Sequence, residues 1–493
     1  MVPVSDPDHR FITPRSPVEG LRRRRLSFLP VFAQAVAAVA PAGAMGVIPA
    51  LVFPTPVSGA AGANLVLTFT AAMVVMILAS LCVRPMAKRM AAVSGLYSYT
   101  AKGLGPRTAI AGGWSAIFGY GLVAMASLLA VGTYIVQLLI NLGLSIPDPR
   151  AFSVFFVLIA AGTASFLMVR GIRISAWFSL LMESIAIGVL ALVMILYFAL
   201  NAPKLSFNSV LSWSGNLDSL WIGIVVAVSA FVGFESPTTL GGEAYRPFVS
   251  VPRAVTWTPI VTGVLFVLAA TAQDIALKEA PPDIVASATP LSDLISQTTP
   301  VVAAALDLGI AASWFACAIA SVNALARMLF CMGREGVAPR MVGRTHPVFR
   351  TPSTAIMVIM PVAAIVPVAI IVSGANPERG LASLFTLAAY GYLGSYLLAS
   401  VSMPFFLRRI GESTGPSWVL GAAATLALGA ALGLAATESI RTGNLQVVIY
   451  AGVLLASVLY GVYLRIRLPD RLASVGIYDE TRELDLFHGR SIP

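Results

Sequence analysis

The chain has 493 residues, 58% of them hydrophobic and only 11% charged. Because soluble domains carry about 25% charged residues, this composition excludes an ordinary soluble protein and indicates one that crosses the membrane several times. The net charge of +10 does not indicate nucleic acid binding, since the Lys and Arg residues lie in short segments between apolar stretches, where they report membrane orientation.

The N-terminal segment, residues 1–27, is polar and contains several prolines and a run of arginines, which predicts a disordered cytoplasmic tail. The apolar run after it is long enough to cross a membrane, so we interpret it as an uncleaved first span and not as a secretory signal. At about 20 apolar residues per crossing, the sequence predicts an all-α membrane protein with twelve spans. The predicted spans are 29–53, 64–83, 108–141, 152–170, 175–200, 219–244, 254–276, 300–331, 353–374, 381–407, 417–437 and 446–466.

The distribution of Lys and Arg between alternate loops predicts the orientation of these spans. If the N-terminus is cytoplasmic, all but five of the 32 basic residues lie on the cytoplasmic side, as the positive-inside rule requires. The exceptions are Arg150, Lys204, Lys278, Arg379 and Arg441. The sequence therefore predicts a multi-pass protein of the cytoplasmic membrane with both termini in the cytoplasm.

Two spans contain helix-breaking residues at bilayer depth. Span 1 contains VAPAGAMGVIP (residues 39–49), and span 6 contains GFESPTTLGG (residues 233–242), where Glu235 adds a carboxylate. Backbone groups that are freed within lipid must be satisfied by neighbours, water or a ligand. Interrupted helices at corresponding positions of two halves are the best sequence indication of a transporter binding site.

The position of these two breaks predicts the domain organisation. We expect spans 1–5 (residues 28–200) to be repeated in inverted orientation as spans 6–10 (residues 218–407). Spans 11 and 12 (residues 417–466) would be an addition, and residues 467–493 would form a second cytoplasmic tail.

The ends of the half-helices would supply the chemistry of such a site. The N-terminal end of a helix carries about +0.5 charge and suits a carboxylate, whereas the C-terminal end suits an ammonium group. An α-amino acid carries both charges close together, so two facing breaks could bind it without a charged side chain. We expect the pocket for its side chain to be lined by Phe231, Phe234 and Met45.

Three separated segments resemble signatures of one transporter family. GFESPTTLGGEAYRPFVSVPRAV (residues 233–255) resembles the span 6 signature of the amino acid–polyamine–organocation superfamily. Residues 323–340 look like the end of that family's span 8, and residues 94–114 are similar to its loop between spans 2 and 3. The segments follow the family's order, and the resemblance extends from span 1 to about span 10.

The resemblance implies a five-plus-five inverted-repeat fold and alternating-access transport of amino acids or their amine relatives. By position, it implies that the N–H groups offered to a substrate carboxylate are those of Ala42, Gly43 and Ala44. The carbonyl groups that receive the amino group would be those around Phe231, Gly233 and Phe234. Because this chain has Ala-Gly-Ala where the family commonly has Gly-Ser-Gly, an amine without a carboxylate stays open as a substrate.

Two acidic residues inside the spans are candidates for proton coupling. Charged groups at this depth cost at least about 2.5 kcal/mol, so few are kept without a role or a partner. Glu235 lies at a break, and its alternative role is to hold the unwound segment by accepting backbone N–H groups. Glu183 lies in span 5, where many family members have a lysine that takes the place of a sodium ion; this span has no lysine. Glu183 could carry a proton or be a hydrogen-bonded structural acid.

Charged residues at the inner end of span 6 predict a cytoplasmic gate, with a solvated cluster as the alternative. These residues are Glu243, Arg246 and Arg253. We expect Arg327, near the inner end of span 8, to reach the cytoplasmic interface or an acidic partner. The tyrosines of span 10 could gate the pathway or pack against helices; they are Tyr390, Tyr392 and Tyr396.

These patterns together predict a secondary transporter of amino acids that takes up its substrate with protons. Sodium coupling is an alternative, since span 8 offers the hydroxyl groups of Ser313 and Ser321. A polyamine or other organic-amine permease is the nearest alternative substrate class, and a channel or sensor is the alternative of another class. The sequence lacks the motifs of a metal, cofactor or catalytic site, so we expect neither a cofactor nor an enzyme.

Overall fold

The computed structural model describes residues 21, 26–52, 64–201, 217–285 and 287–476. Within these residues, twelve helices are long and apolar enough to cross a membrane, which confirms the predicted number of spans. The same residues contain no β-strand, so the predicted all-α class is also confirmed. Most of the two predicted tails lies outside the described residues.

The bounds of the helices agree with the predicted spans to within a few residues in most cases. The spans other than span 6 are Phe28–Val52, Leu65–Ala87, Pro106–Asn141, Pro149–Arg170, Ile172–Asn201, Pro247–Glu279, Pro300–Arg334, Ser353–Val372, Pro377–Arg409, Gly415–Arg441 and Gln446–Arg467. Short helices between them are Leu96–Leu104, Pro282–Val285, Pro290–Ser296 and Pro469–Ala473. Span 7 begins seven residues earlier than predicted, because Pro247 is well suited to the first position of a helix.

Span 1 is interrupted at a single residue. The half-helix Phe28–Val39 ends at Ala40, which has the left-handed dihedral angles φ 50° and ψ 62°, and a second half-helix, Pro41–Val52, follows at once. Pro41 cannot donate a backbone hydrogen bond, so it starts the second half-helix and cannot continue the first. The other predicted breakers do not interrupt the chain, since the second half-helix continues through Pro49.

Span 6 is interrupted over a longer stretch. Its α-helix, Leu217–Val228, is followed by a 3₁₀ turn and by Gly233 with a φ of 97°. After the break, only the 3₁₀ helix Ser236–Leu240 forms before span 7 begins. The prediction of a helical inner half for span 6 is therefore wrong in detail, because Pro237 and the glycines favour turns over an α-helix.

Burial shows where these two spans lie in the bundle. The most apolar windows of spans 1 and 6 are 89% and 94% buried by protein, whereas that of span 12 is 22% buried. Span 8 packs against spans 3 and 5, span 10 packs against span 3, and spans 11 and 12 pack on the outside of this group. The interrupted helices are thus enclosed by the other spans, and neither faces lipid.

Candidate functional site

The two breaks touch each other in the centre of the bundle. A Cβ atom built at Gly233 would lie 2.9 Å from the Cβ atom of Ala38 and 3.0 Å from its carbonyl oxygen. The Ser236 hydroxyl donates a hydrogen bond to the carbonyl of Gln34 (3.2 Å), and the Gln34 amide donates to the carbonyl of Ala320 in span 8 (2.8 Å). Gly233 is required here because its positive φ and the contact with Ala38 both exclude a side chain.

A Gly233→Ala variant tests whether this contact is needed. We expect a loss of stability of about 1–3 kcal/mol, because the new methyl group needs a strained φ and overlaps Ala38, and we expect reduced substrate binding. The measurement is thermal unfolding in detergent, with and without substrate.

The matched control for this variant is Gly188→Ala. Gly188 lies in the helix of span 5, and its Cβ position meets no atom within 4 Å, so we expect a neutral or slightly stabilising effect. Equal stability of the two variants would contradict the close contact between the breaks.

Glu235 is buried at this crossing and is held by hydroxyl groups from two other spans. Its side chain is 1% exposed. The hydroxyl of Tyr120 in span 3 donates to one carboxylate oxygen (2.6 Å), and the hydroxyl of Tyr396 in span 10 donates to the other. The Gly233 N–H donates to the same Tyr396 hydroxyl (2.9 Å). The carboxylate therefore connects the break of span 6 to spans 3 and 10. Tyr396 is one of the three tyrosines that the sequence suggested as gating residues, whereas no sequence pattern indicated Tyr120.

Glu183 lies at the start of the second half-helix of span 1. It is 2% exposed. The Ser313 hydroxyl of span 8 donates to its Oε1 atom (3.0 Å), and the Gly43 N–H donates to that hydroxyl (3.0 Å). The Ala44 N–H donates to the Ala40 carbonyl (2.7 Å).

These bonds involve the residues of span 1 that the sequence predicts to bind a substrate carboxylate. Ala42, Gly43 and Ala44 were expected to offer free N–H groups to a substrate carboxylate. In the structure, the Gly43 N–H donates to the Ser313 hydroxyl and the Ala44 N–H donates to the Ala40 carbonyl. The sequence could not show this, because the partners Glu183 and Ser313 come from other spans.

The three predicted pocket residues face different neighbours. The Phe234 ring lies 5.0 Å from the ring of Tyr396, beside Glu235. The Phe231 ring packs edge to face on Phe266 of span 7, with 4.8 Å between the ring centroids. The carbonyl of Met45 accepts a hydrogen bond from the Gln273 amide of span 7 (2.9 Å). Only Phe234 is therefore next to the carboxylate of Glu235.

Trp314 of span 8 is a site residue that the sequence did not indicate. Its ring lies over Gly43, where a Cβ atom would be 2.7 Å away, and it packs on the ring of Phe385 in span 10 with 5.0 Å between centroids. Its indole N–H is buried and has no hydrogen-bond partner within the described part of the chain, and the same holds for the Oε2 atom of Glu183. Two unsatisfied polar atoms therefore lie beside the break of span 1.

A buried ion pair lies toward the predicted cytoplasmic end of the bundle. The Arg327 Nε atom is 2.6 Å from the Glu243 carboxylate, and both side chains are almost fully buried. The expected acidic partner of Arg327 is thereby confirmed. The predicted gate needs correction, because the side chains of Arg246 and Arg253 are exposed and the cation that pairs with Glu243 comes from span 8.

The end of the N-terminal segment covers this ion pair. The Leu26 N–H donates to the Glu243 carbonyl (3.1 Å), and the Tyr245 N–H donates to the Leu26 carbonyl (2.8 Å). Leu21 is also buried, in contact with Val93, which follows span 2, and with Phe330 and Cys331 near the inner end of span 8. Opening the helix bundle at this end would therefore require the ion pair and the short backbone bridge to separate.

Two interrupted helices that meet around buried carboxylates inside a bundle of continuous helices define a class of membrane transport proteins. Comparison with known sequences then gives the family. The sequence profile of the amino acid permease family matches residues 36–453, and the chain belongs to this family. Membership in a family of permeases confirms that the chain is a multi-pass membrane transporter and not an enzyme.

The relatives of this chain are moderately similar to it in sequence. An uncharacterised transporter of Mycobacterium tuberculosis is 25% identical over 403 residues, which is 80% of this chain and 82% of the relative. A branched-chain amino acid permease of Bacillus subtilis is 24% identical over 323 residues, 60% of this chain and 65% of that protein. A low-affinity putrescine importer of Escherichia coli is 23% identical over 314 residues, 62% of this chain and 67% of that protein.

A solved structure confirms the fold. The structure of MhsT in complex with L-phenylalanine matches with a TM-score of 0.60 and 13% sequence identity, over 84% of this chain and 100% of that chain. At this identity the likeness shows the fold alone, which is that of helical transporters built from inverted repeats.

Proposed function

We propose that the protein is a secondary active transporter that takes up amine-bearing solutes, amino acids or organic amines, together with protons. It would work by alternating access across the cytoplasmic membrane, with both termini in the cytoplasm as the Lys and Arg distribution predicts. The observation that carries the proposal is the position of Glu235, buried where the two breaks meet and bonded to spans 3 and 10. The branched-chain amino acid permease and the putrescine importer both carry amine-bearing solutes, which supports this substrate range.

The site suits the ammonium group of such a solute. The first half-helix of span 1 ends at Val39, so its carbonyl end carries partial negative charge beside the carboxylate of Glu235. An ammonium group has three donors and can bind a carboxylate and carbonyl oxygens at once. In this proposal Glu235 and the carbonyls near Gly233 bind the ammonium, and Phe234 and Tyr396 supply an apolar and aromatic wall.

Proton coupling is favoured by the partners of the two buried acids. Within the described residues, Glu235 and Glu183 are bonded to hydroxyl and N–H groups and form no ion pair. A carboxylate without a fixed cation can gain a proton in one state and lose it in another at smaller cost than an ion-paired one. We therefore assign the coupled proton to this pair of acids, Glu235 and Glu183: one carboxyl group takes the proton while the other keeps the negative charge that binds the ammonium group.

Sodium coupling is disfavoured by the contacts of span 8. The Ser313 hydroxyl is already engaged by Gly43 and Glu183. The carbonyl of Ala38 at the break faces the Cys317 thiol at 3.2 Å. Hard cations such as sodium prefer oxygen ligands, and a thiol is a poor substitute. These contacts support the proton as the coupling ion.

Transport by this mechanism requires the buried ion pair between Glu243 and Arg327 to break and re-form. The pair lies at the end of the bundle that we assign to the cytoplasm, behind the bridge made by Leu26. Its separation would open a path from Glu235 to the cytoplasm. We therefore propose that Glu243 and Arg327 form the cytoplasmic gate, and that Arg246 and Arg253 are solvated charges outside it.

The experiment that tests the proposal is uptake into proteoliposomes in sodium-free buffer. We expect an acidic exterior to drive accumulation of a radiolabelled substrate by about tenfold for each pH unit and each coupled proton. A protonophore should abolish the accumulation, and liposomes without protein are the control. Strict dependence on sodium would overturn proton coupling, and no exchange of any amine or amino acid in counterflow would overturn the transport function.

A further inference from the structure

We propose that Glu183 occupies the place at which a substrate carboxylate would bind, so that this transporter accepts organic amines that have no carboxylate beside the amine. The inference rests on the proposed transport function and narrows its substrate class. It follows from the hydrogen bonds of the second half-helix of span 1, from a carboxylate oxygen of Glu183 beside it that no described residue satisfies, and from the charge of the residues around the pathway.

N–H groups at the start of the second half-helix form hydrogen bonds within the chain. A helix leaves its first N–H groups without partners inside the helix, and these groups are what bind an anion. Here Pro41 has no N–H, and the Gly43 N–H donates to the Ser313 hydroxyl, which in turn donates to the Glu183 carboxylate. The Ala44 N–H donates to the Ala40 carbonyl. The anion-binding end of this half-helix is therefore filled by the chain itself.

The group that occupies the start of the second half-helix is the carboxylate of Glu183. Glu183 comes from span 5, and its carboxylate is linked through Ser313 to the first turn of the half-helix, where the positive end of a helix stabilises a negative charge. A substrate carboxylate at this position would have to displace Glu183 or lie beside it, and two neighbouring carboxylates repel each other. Space is also limited, because the Trp314 ring lies directly over Gly43.

In the part of the chain that the structure describes, the site lacks a hydrogen-bond donor for one oxygen of the Glu183 carboxylate. The Oε2 atom of Glu183 is buried without a hydrogen-bond partner in the described ranges, and a buried carboxylate oxygen in that condition favours a donor. An ammonium group supplies donors and positive charge together. The rings of Trp314 and Phe385, tilted by 36° to each other, are close by, and aromatic faces attract such cations. With Glu235 at the other break, the site contains two carboxylates and suits a cation.

Acidic residues at the opposite end of the bundle from the Glu243–Arg327 pair add to this preference. Asp307 near the start of span 8 is fully buried, and it accepts a hydrogen bond from Asn141 (2.7 Å). Its Oδ1 atom has no partner within the residues that the structure describes. Asp293 lies nearby, in a short helix that packs on the second half-helix of span 1. A cationic substrate would be attracted to this end, and a carboxylate would be repelled.

The test compares amines with the amino acids from which they differ by one carboxylate. Suitable pairs are putrescine and ornithine, cadaverine and lysine, and phenethylamine and phenylalanine. In counterflow with the wild-type protein in proteoliposomes, we expect at least one amine to exchange at least tenfold faster than its amino acid. Exchange of amino acids alone, or equal exchange of both members of each pair, would overturn this inference and leave transport standing. No exchange of any compound would overturn the proposed function instead.

A variant of Glu183 assigns the selectivity to this residue. The Glu183→Ala variant removes the carboxylate from the place at which a substrate carboxylate would bind. We therefore expect amine exchange to fall at least tenfold and the ratio of amino acid to amine exchange to rise at least tenfold. An unchanged ratio in a folded variant would overturn the role of Glu183. If the variant does not fold, the comparison of matched pairs on the wild-type protein still decides the substrate class.

Discussion

Replacing Glu235 with glutamine is expected to lower transport at least tenfold while the protein stays folded. Glutamine keeps the size of the side chain, and its amide oxygen can still accept a hydrogen bond from Tyr120. It loses the negative charge that binds an ammonium group and the site that carries a proton. Hydrogen bonds to charged groups contribute about 1.5–3 kcal/mol, which corresponds to a factor of roughly 10 to 150. Counterflow in proteoliposomes measures the effect.

The matched control for Glu235→Gln is Glu412→Gln. Glu412 is half exposed and pairs with Arg89 at the surface, and this pairing lowers the pKa of its carboxyl group below the usual value. Surface ion pairs of this kind contribute little, so we expect wild-type transport from the control. Wild-type transport from Glu235→Gln as well would mean that Glu235 only holds the unwound segment in place.

The Arg327→Met variant is expected to have the largest effect on stability. Removing one member of a buried ion pair leaves the other charge without compensation, which costs about 3–5 kcal/mol. Glu243 would be left buried in this way, since Arg327 contacts it at 2.6 Å. We expect a large fall in the unfolding temperature in detergent. The double variant Arg327→Met, Glu243→Gln should recover most of the loss, because it buries no unpaired charge.

The control for the ion pair is Arg253→Met. Arg253 is exposed, so we expect its replacement to change stability by no more than about 0.5 kcal/mol. If Arg327→Met proved as stable as this control, the buried pair would not hold the structure together. The double variant also tests the gate: a stable double variant that no longer couples uptake to the pH gradient would assign gating to the pair.

In the proposed mechanism, the two buried glutamates would each recognise the substrate at a different break. Glu235 lies at the break of span 6 and connects it to Tyr120 and Tyr396. A change in its protonation would therefore alter its hydrogen bonds to spans 3 and 10. Glu183 lies at the break of span 1 and reaches span 8 through Ser313. A cationic substrate between them would be bound by both glutamates. Its binding at Glu235 would affect spans 3 and 10, and its binding at Glu183 would affect spans 1 and 8.

Much of the fold was already determined by the local sequence. The twelve spans follow from runs of apolar residues, and the presence of two breaks follows from Pro41 and Gly233, whose backbone preferences act within a few residues. The intramembrane acids were visible for the same reason, since a charge in an apolar run needs no knowledge of its neighbours. The family resemblance added the order of the spans and the inverted repeat.

The partners of these residues were decided only by the tertiary structure. Glu235 and Tyr120 are 115 positions apart, Glu183 and Ser313 are 130 positions apart, and Arg327 and Glu243 are 84 positions apart. Which side chains meet depends on how whole helices rotate and cross, and no local pattern encodes that rotation. For this reason the sequence indicated that the break of span 1 could bind an anion, but only the packed bundle showed that the carboxyl group of Glu183 lies there, linked through Ser313 to the Gly43 N–H.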